Sequence, residues 1–561
     1  MKPDMTTRPS ASLALQGGAQ RGKINAAPKT PPHYGEEAPA GRPERLTKPS
    51  MQFDPIMLEI IWSRLGSIVD EAATGFVRTS FSSLVREAND YAVVLTDADG
   101  NSLTQSSFSI PSFISTLPRT VQHVIRMFPK ETLYPGDVII TNDPWLATGH
   151  IHDVSTVAPI FLDGKLVAFS AVTSHVPDIG GRVRSSDVPS IFEEGLQIPV
   201  LKLVEKGKPQ AAVEAFIRTN VRVPDATMGD IWGQGAAHEQ IRHRLIGLLT
   251  ETGLDLSALS VEICSRSERA LREAIEALPD GEYEYRMQHD AFSSPLTIQC
   301  KVRVQGSDLL VDYTGTSPQV EDKSINVVET YTHAYTAFAV KALLSPDVPN
   351  TEGSFRPLKV QAPPGSILNA QYPVGTGARG QIGHMLPPAV FGALGPVMGK
   401  RRRAEGSGNC VVTLTGRHGG KPFAVSSFVN AGQGASAERC GFSALSFPSN
   451  LGNSPIEIIE MEAPVIINGR SLRKGSGGNG IHAGGDGLRF DFTYVGDEPA
   501  SCSFLMARRV VPPQGAAGGQ AGQPARLEVN GELRDPITVK QLHKGDRVVL
   551  ETAGGGGFGA P

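Results

Sequence analysis

Glycine and proline are the strongest constraint on what this chain can fold into. The sequence holds 61 glycines and 42 prolines among 561 residues, about 18% of the chain, against an average of roughly 12%. Both residues interrupt helices and favour turns. Their abundance therefore predicts many turns, loops and short strands rather than a long helical bundle. The length predicts about three to four domains, or two large ones.

The distribution of residue types divides the chain into three parts. Residues 1–50 are rich in proline and charged side chains and poor in large apolar ones, which predicts a disordered extension. Residues 51–278 mix helical and strand patterns, whereas residues 279–561 combine strand patterns with glycine-rich turns. We therefore expect a multi-domain α/β fold of the mixed α+β type, with an α/β N-terminal half and a β-rich, Gly-rich C-terminal half.

Hydrophobic periodicity predicts the main elements of the first half. Apolar residues recur at helical spacing from Ile56 to Thr79, after Asp54 at the cap position and Pro55 in the first turn. Residues 210–277 are mostly helical in pattern. The remaining predicted elements are helices at Leu117–Phe128, Thr330–Leu344 and Pro387–Met398, strands at Tyr91–Thr96 and Asp137–Asn142, and a hairpin of Val154–Phe161 with Leu166–Ser174 around Asp163-Gly164-Lys165.

Charge and hydropathy exclude two classes of partner. Lysine and arginine number 53 and aspartate and glutamate 57, which gives a formal net charge of −4, so the chain as a whole is not built to bind a nucleic acid. A membrane-spanning helix needs about 20 consecutive apolar residues. The longest uncharged apolar run, Met385–Gly399, is shorter and contains three prolines. We therefore expect neither a nucleic-acid nor a membrane partner.

The cysteines and the N-terminus favour a cytoplasmic protein. The five cysteines are widely spaced, odd in number and without a C-x-x-C pair, which argues against a disulfide framework or a zinc ribbon. The first residues lack the charged start, apolar segment and small-residue cleavage site of a secretory signal.

The densest polar cluster of the sequence holds two copies of an H-x-x-D pattern. His150 and Asp153 form the first copy, and His175 and Asp178 form the second. They lie at the open end of the predicted hairpin, because one copy precedes its first strand and the other follows its second. The register of the hairpin decides whether His152 or Asp153 lies opposite His175.

Two loop lengths give the two registers. A two-residue loop pairs Leu162 with Lys165 and places His152 opposite His175, and a three-residue loop pairs Leu162 with Leu166 and places Asp153 there. Both registers gather imidazoles and a carboxylate, a mixed set that suits Zn, Mn or Fe. The alternative interpretation is a group of hydrogen-bonded loop side chains without a metal.

Several other motifs do not indicate a site. Residues 475–480 fit G-x-G-x-x-G, but no helix pattern follows them, which argues against a dinucleotide fold. His238 and His243 are five residues apart, so a helix would point them in different directions. The sequence contains neither a P-loop nor a G-x-S-x-G pattern. An acidic group at Glu87 and Asp90 is of interest only as a source of a further metal ligand.

Many ordered motifs resemble the hydantoinase B / oxoprolinase family. The resemblance covers residues 51–561. Its motifs include Phe53-Asp54-Pro55-Ile56, Val85-Arg86-Glu87-Ala88, Pro135-Gly136-Asp137, Asn142-Asp143-Pro144-Trp145, Gly149-His150 with Asp153, His175 with Asp178-Ile179-Gly180-Gly181, and the closing Gly554-Gly555-Gly556-Gly557-Phe558-Gly559.

The resemblance implies one component of a two-part, ATP-dependent hydrolase of C–N bonds in cyclic amides such as a hydantoin or 5-oxoproline. In this scheme ATP is bound by a hydantoinase A-like partner, which phosphorylates the ring amide, and a water on a divalent metal of the hydantoinase B-like chain then opens the ring. ATP thus acts only through the partner, in a hetero-oligomer. The main alternative is the equivalent chain of a ketone carboxylase of the acetone or acetophenone type; another is a non-catalytic scaffold that binds a partner.

The resemblance also implies the site residues, all within residues 51–278. Transferred by motif, the metal ligands are Asp90, His150, Asp153 and His175. This set selects the three-residue hairpin loop. Glu87 and Asp178 are then groups that orient the ligands, and they are the candidates for the catalytic carboxylate that handles the proton.

Overall fold

The computed structural model describes residues 53–290 and 295–561. The predicted disordered extension at residues 1–50 lies outside the described residues. The helices are α1 Pro55–Thr79, α2 Ser83–Arg86, α3 Pro111–Met127, α4 Ile191–Glu194, α5 Ala211–Asn220, α6 Pro224–Thr252, α7 Leu256–Glu276, α8 Glu329–Leu344, α9 Gly380–Gly383, α10 Leu386–Leu394 and α11 Ile456–Glu462.

The strands of the first half are β1 Tyr91–Asp97, β2 Ser102–Gln105, β3 Val138–Thr141, β4 Asp153–Leu162, β5 Lys165–His175, β6 Leu201–Glu205 and β7 Lys208–Pro209. Those that follow are β8 Gly281–His289, β9 Leu296–Gln305, β10 Asp308–Asp312, β11 Leu358–Gln361, β12 Asn409–His418, β13 Lys421–Asn430, β14 Val465–Arg473, β15 Gly487–Tyr494, β16 Ala500–Leu505, β17 Arg526–Val529, β18 Glu532–Leu533, β19 Lys540–Leu542 and β20 Arg547–Glu551.

A seven-stranded antiparallel sheet organises the first half, in the order β2-β1-β5-β4-β3-β6-β7. Both of its faces are buried. Along β1, Val93 and Leu95 join the core formed with α1 and α6, whereas Ala92 and Val94 join a second core formed with α3 and α8. This split follows from the two-residue period of a strand, whose side chains point alternately to opposite faces.

The second half contains three smaller sheets, β11-β10-β9-β8, β13-β12-β16-β19 and β14-β15-β20-β17-β18. The last two share a core, to which Val412, Phe492 and Phe504 contribute. The architecture confirms the mixed α/β fold class. One core cluster includes residues on both sides of position 278, among them Val94 and Val340. The division at that position stays a prediction.

Most predicted elements of the first half are confirmed. Helix α1 begins after Asp54, whose carboxylate accepts hydrogen bonds from the amides of Ile56 and Met57 at 3.0 and 2.9 Å. Helix α3 begins six residues earlier than predicted, because Pro111 occupies its first turn and Pro118 lies inside it. Helix α10 ends at Leu394 and two short 3₁₀ turns follow it. Within the described ranges, no helix is long and apolar enough to cross a membrane.

The β4–β5 hairpin has the predicted pairing but a different loop. Asp153 lies opposite His175, while Leu162 pairs with Lys165 across a two-residue Asp163-Gly164 turn. The expectation of a three-residue loop is therefore wrong. A bulge corrects the register: Ile160 pairs with Ala168 but Phe161 pairs with Leu166, so β5 contains one extra residue. Both turn residues have positive φ, which the Asp-Gly pair tolerates well.

Glycine-rich segments of the second half pack backbone against backbone. A Cβ atom added to Gly555 would lie 2.0 Å from the carbonyl oxygen of Gln433. The Gly555 amide meanwhile donates to the carbonyl of Gly485 at 2.9 Å. The glycine excess therefore allows close backbone contact in addition to turns.

We expect Gly555→Ala to destabilise the protein by about 1–3 kcal/mol, because backbone atoms cannot move aside as a flexible side chain can. Gly469→Ala is the matched control, since a Cβ there meets nothing within 4 Å. Thermal unfolding of the two variants measures the difference. Equal melting temperatures for both variants would contradict the close contact.

His238 is a buried structural histidine on α6, packed against the sheet. Its Nε2 lies 2.8 Å from Thr156 Oγ1 and its Nδ1 lies 2.7 Å from Ser170 Oγ. Burial lowers the pKa of His238 to about 3. The hydroxyl partners explain its position without a metal, in keeping with the prediction that His238 and His243 do not form one site.

The low pKa of His238 makes stability depend on pH. As the pH falls below about 6.5, the unfolded chain binds a proton at this histidine while the folded protein does not, so stability falls by up to about 1.4 kcal/mol per pH unit until the pH nears 3. We expect His238→Gln to flatten the fall in melting temperature between pH 7 and 5. Exposed His243→Gln should reproduce the wild-type profile. Parallel profiles for all three proteins would refute this assignment.

Candidate metal centre

The open end of the β4–β5 hairpin gathers three of the predicted metal ligands. Asp153 is the first residue of β4 and His175 is the last residue of β5, and the register places them opposite each other. His150 lies three residues before Asp153, in the loop that enters β4. The loop turns at Gly149, whose φ is 101°. The two strand ends and this turn bring the three side chains to one point.

The distances within the cluster are short. His150 Nε2 lies 2.7 Å and His175 Nδ1 3.0 Å from the same oxygen, Asp153 Oδ1. One ligand atom from each residue can be chosen so that all three lie within 4.8 Å of one another. All three side chains are buried. The group could therefore hold a metal ion.

The protonation states favour metal binding. Burial holds the pKa of His150 well below its ordinary value and lowers that of His175 to about 4. Burial alone would raise the pKa of Asp153, but nearby His150 and Arg379 hold it well below its usual range. Neutral imidazoles and an ionised carboxylate are the forms that bind a metal.

His150 shows how well the cluster fits a cation. Its Nδ1 lies 3.3 Å from the carbonyl oxygen of Gly377, so the ring proton sits there and Nε2 keeps a lone pair. Nε2 is buried and makes no hydrogen bond among the described residues, although Asp153 Oδ1 is 2.7 Å away. Two acceptor atoms this close, without a proton between them, are what a shared metal ion would stabilise.

Asp90, the fourth predicted ligand, lies at the edge of the cluster. Its Oδ2 is 3.9 Å from His175 Nδ1, and its main-chain oxygen accepts the His175 amide at 3.1 Å. Asn89 precedes it with a φ of 56°. Burial and then the charge of Asp153 raise the pKa of Asp90 to about 8. A cation at the cluster would oppose that rise and favour release of the proton.

Arg379, a residue that sequence reasoning missed, fixes the carboxylate of Asp153. Its Nη2 lies 2.6 Å from Asp153 Oδ2, which leaves Oδ1 to face the histidines. Its Nε donates to the carbonyl of Thr148 at 3.0 Å, and its guanidinium lies 4.2 Å from the centre of the Tyr331 ring. Gly149 makes room for it, because a Cβ there would lie 2.9 Å from Arg379 Nε.

Arg184 is the second arginine at the cluster, on the loop that follows β5. Its Nε donates to the carbonyl of Gly377 at 2.9 Å, and its Nη1 lies 3.5 Å from His175 Nε2. Burial and the positive charge of Arg379 lower the pKa of Arg184 to about 10. The residue remains a cation at neutral pH.

His152 belongs to the surroundings of the cluster. Its ring stacks on His175 with the centroids 5.6 Å apart and an angle of 11° between the planes. Burial and the neighbouring His150 hold its pKa well below the ordinary value. It is absent from the group of three that could hold a metal. The observed register gives Asp153, and not His152, the place opposite His175.

The structure does not bring Glu87 and Asp178 to the cluster. The Glu87 carboxylate lies 3.7 Å from Arg86, and Asp178 accepts hydrogen bonds from the main chain and side chain of Arg222. Neither lines the cavity beside the cluster. Asp178 instead anchors the loop that leads to Arg184. Their role as proton-transfer groups stays a prediction.

A cavity of about 620 Å³ opens beside the cluster. Asp90, His150, Asp153, His175, Arg184, Tyr331, Tyr335, Arg379 and His384 are among its lining residues. Segments from both halves of the chain contribute. No local motif could have linked Arg379 to Asp153, since 226 positions separate them.

This buried carboxylate–imidazole cluster, with two arginines beside a cavity, defines a candidate metal-dependent site. The chain matches the Hydantoinase B/oxoprolinase family over residues 54–561, and it belongs to that family. The resemblance recognised in the sequence is therefore confirmed.

Individual relatives match along most of the chain. A putative hydantoinase B chain, of the D-/L-hydantoinase of Pseudomonas sp. (strain NS671), is 30% identical over 539 residues, which cover 91% of this chain and 90% of that protein. The 5-oxoprolinase of Dictyostelium discoideum is 26% identical over 526 residues, covering 91% of this chain but 40% of that longer protein.

Two solved structures share the fold. The ATP-dependent caprolactamase from Pseudomonas jessenii has a TM-score of 0.82 and 27% identity, and the match covers 91% of this chain and 92% of that one. The nucleotide-free acetone carboxylase has a TM-score of 0.84 at 18% identity, covering 90% of this chain and 76% of that one. The second likeness concerns the fold alone.

We expect the purified chain to bind about one divalent metal ion, and His175→Ala to lose it, because the variant removes one of three clustered ligands. Exposed His243→Ala is the matched control and should keep the wild-type metal content. Elemental mass spectrometry after incubation with Zn, Mn or Fe provides the measurement. Equal metal content in His175→Ala and the wild type would exclude the cluster as the binding site.

Proposed function

We propose that this chain is the hydantoinase B-type component of an ATP-dependent hydrolase that opens a cyclic amide, such as a hydantoin, 5-oxoproline or a related lactam. The observation that carries the proposal is the buried His150, Asp153 and His175 group beside a cavity large enough for a small ring. Family membership and the similarity to a hydantoinase chain and a caprolactamase support the same class of substrate.

The chemistry of a lactam explains why two activities are needed. An unactivated ring amide is a poor electrophile, because attack must overcome the amide resonance. Phosphorylation of its oxygen removes that resonance and creates a leaving group. We assign this step to a hydantoinase A-like, ATP-binding partner. The partner assignment is supported by the similarity to a Pseudomonas protein that is itself one component of a multi-chain hydantoinase.

The residues of this chain then prepare the hydrolytic step. When bound by Asp90, His150, Asp153 and His175, a Zn, Mn or Fe ion would lower the pKa of a water molecule and supply a Lewis acid. Arg379 holds Asp153 in one orientation through its 2.6 Å ion pair. The Gly377 carbonyl, which faces His150 Nδ1, fixes the tautomer of that ring.

The test is reconstitution with a hydantoinase A-type partner. We expect the complex with ATP to form ADP and the ring-opened product from at least one of hydantoin, 5-oxoproline and caprolactam. His175→Ala should lower product formation more than about 100-fold, because it removes a metal ligand. His243→Ala should retain activity. Mass spectrometry of the product and an assay of ADP provide the measurements.

Three outcomes would contradict the proposal. A metal-loaded, ATP-hydrolysing complex that opens none of these rings would exclude cyclic-amide hydrolysis. Formation of acetoacetate from acetone and bicarbonate would instead identify a ketone carboxylase. A chain that binds its partner without holding a metal would favour the scaffold alternative.

A further inference from the structure

Arg184 is held so that part of its guanidinium is left free. Its Nε donates to the Gly377 carbonyl at 2.9 Å, and its own carbonyl accepts the Ser503 hydroxyl at 2.5 Å. Its Nη1 is 3.5 Å from His175 Nε2. The Nη2 group has no hydrogen-bond partner within residues 53–290 and 295–561. Both the backbone and the side chain are thus tethered, while one donor group lies at a wall of the cavity.

The positive charge of Arg184 is not balanced by an ion pair. Arg379 pairs with Asp153, but no carboxylate in the described part of the chain lies within ion-pair distance of Arg184. Two arginines and a divalent metal would together give this cavity an excess of positive charge. Such an excess in a partly buried place is stabilised by an anionic ligand.

We propose that Arg184 binds the anionic oxygens of the activated substrate, namely the phosphoryl group that the partner has placed on the ring amide. Guanidinium groups bind phosphate oxygens through paired N–H donors. A phosphoryl group at Arg184 would set the ring beside His175. The same chemistry could recognise a substrate carboxylate, and the experiment separates the two.

This inference rests on the proposed function for the identity of the ligand, but its test needs no turnover. Inorganic phosphate is the probe, titrated calorimetrically into the isolated full-length chain after chelation of bound metal. Arg184→Gln should weaken phosphate binding about tenfold or more, since a charge-assisted pair is lost. Arg184→Lys should bind with intermediate affinity, because it keeps the charge but loses the planar fork.

Arg182→Gln is the matched control on the same loop. Arg182 is exposed and pairs with Asp187 and Glu193, so its loss should leave phosphate affinity unchanged. Acetate, titrated in parallel, should bind more weakly than phosphate. Metal content and melting temperature of Arg184→Lys, compared with the wild type, report whether the cluster and the fold are intact.

The outcomes separate this inference from the proposed function. Equal phosphate affinity in wild type, Arg184→Gln and Arg184→Lys would overturn it, even if the reconstituted complex opens a ring. Arg184-dependent binding of acetate but not phosphate would overturn the phosphoryl assignment. Arg184-dependent phosphate binding in a chain that opens no ring would support the anion site while the proposed hydrolysis failed.

Discussion

The buried ion pair between Asp153 and Arg379 is the contact on which the site depends. An ionised carboxylate inside a protein is stable only where charge and hydrogen bonds compensate for the loss of water. Arg379 supplies that compensation at 2.6 Å, and the histidines meet the other oxygen. Because β4 and Arg379 come from different halves of the chain, the pair also links the N-terminal sheet to the second half. Loss of either partner of such a pair costs about 3–5 kcal/mol.

Gly377 plays a second organising part, through its backbone alone. Its carbonyl lies within hydrogen-bonding distance of His150 and Arg184, and its amide donates to Glu194 at 2.6 Å. Burial raises the pKa of Glu194 to about 7. One peptide segment therefore fixes the tautomer of a candidate ligand and the direction of an arginine. The cluster and the proposed anion site consequently share a rigid wall, which suits a reaction that must place one activated atom near the metal.

Much of the first half could be predicted from the sequence, because its signals are local. The cap at Asp54, the helical spacing after it and the alternation along β1 all act over a few residues. The hairpin illustrates the limit of such reasoning. The pairing of Asp153 with His175 was predicted, but from a loop length that is wrong. The actual register depends on a bulge near Val167, and a bulge is decided by how both faces of the sheet pack rather than by the turn sequence.

The sequence by itself determined the elements, the H-x-x-D pairs and the family, because these lie in local periodicity and in ordered motifs. Tertiary structure alone decided the surroundings of the site. Arg379 and Gly377 reach the hairpin from more than 200 positions away, and Glu87 and Asp178 lie away from the cavity despite their nearness in sequence. The physical reason is that burial and charge compensation depend on which segments pack together, and a linear pattern does not encode those distances.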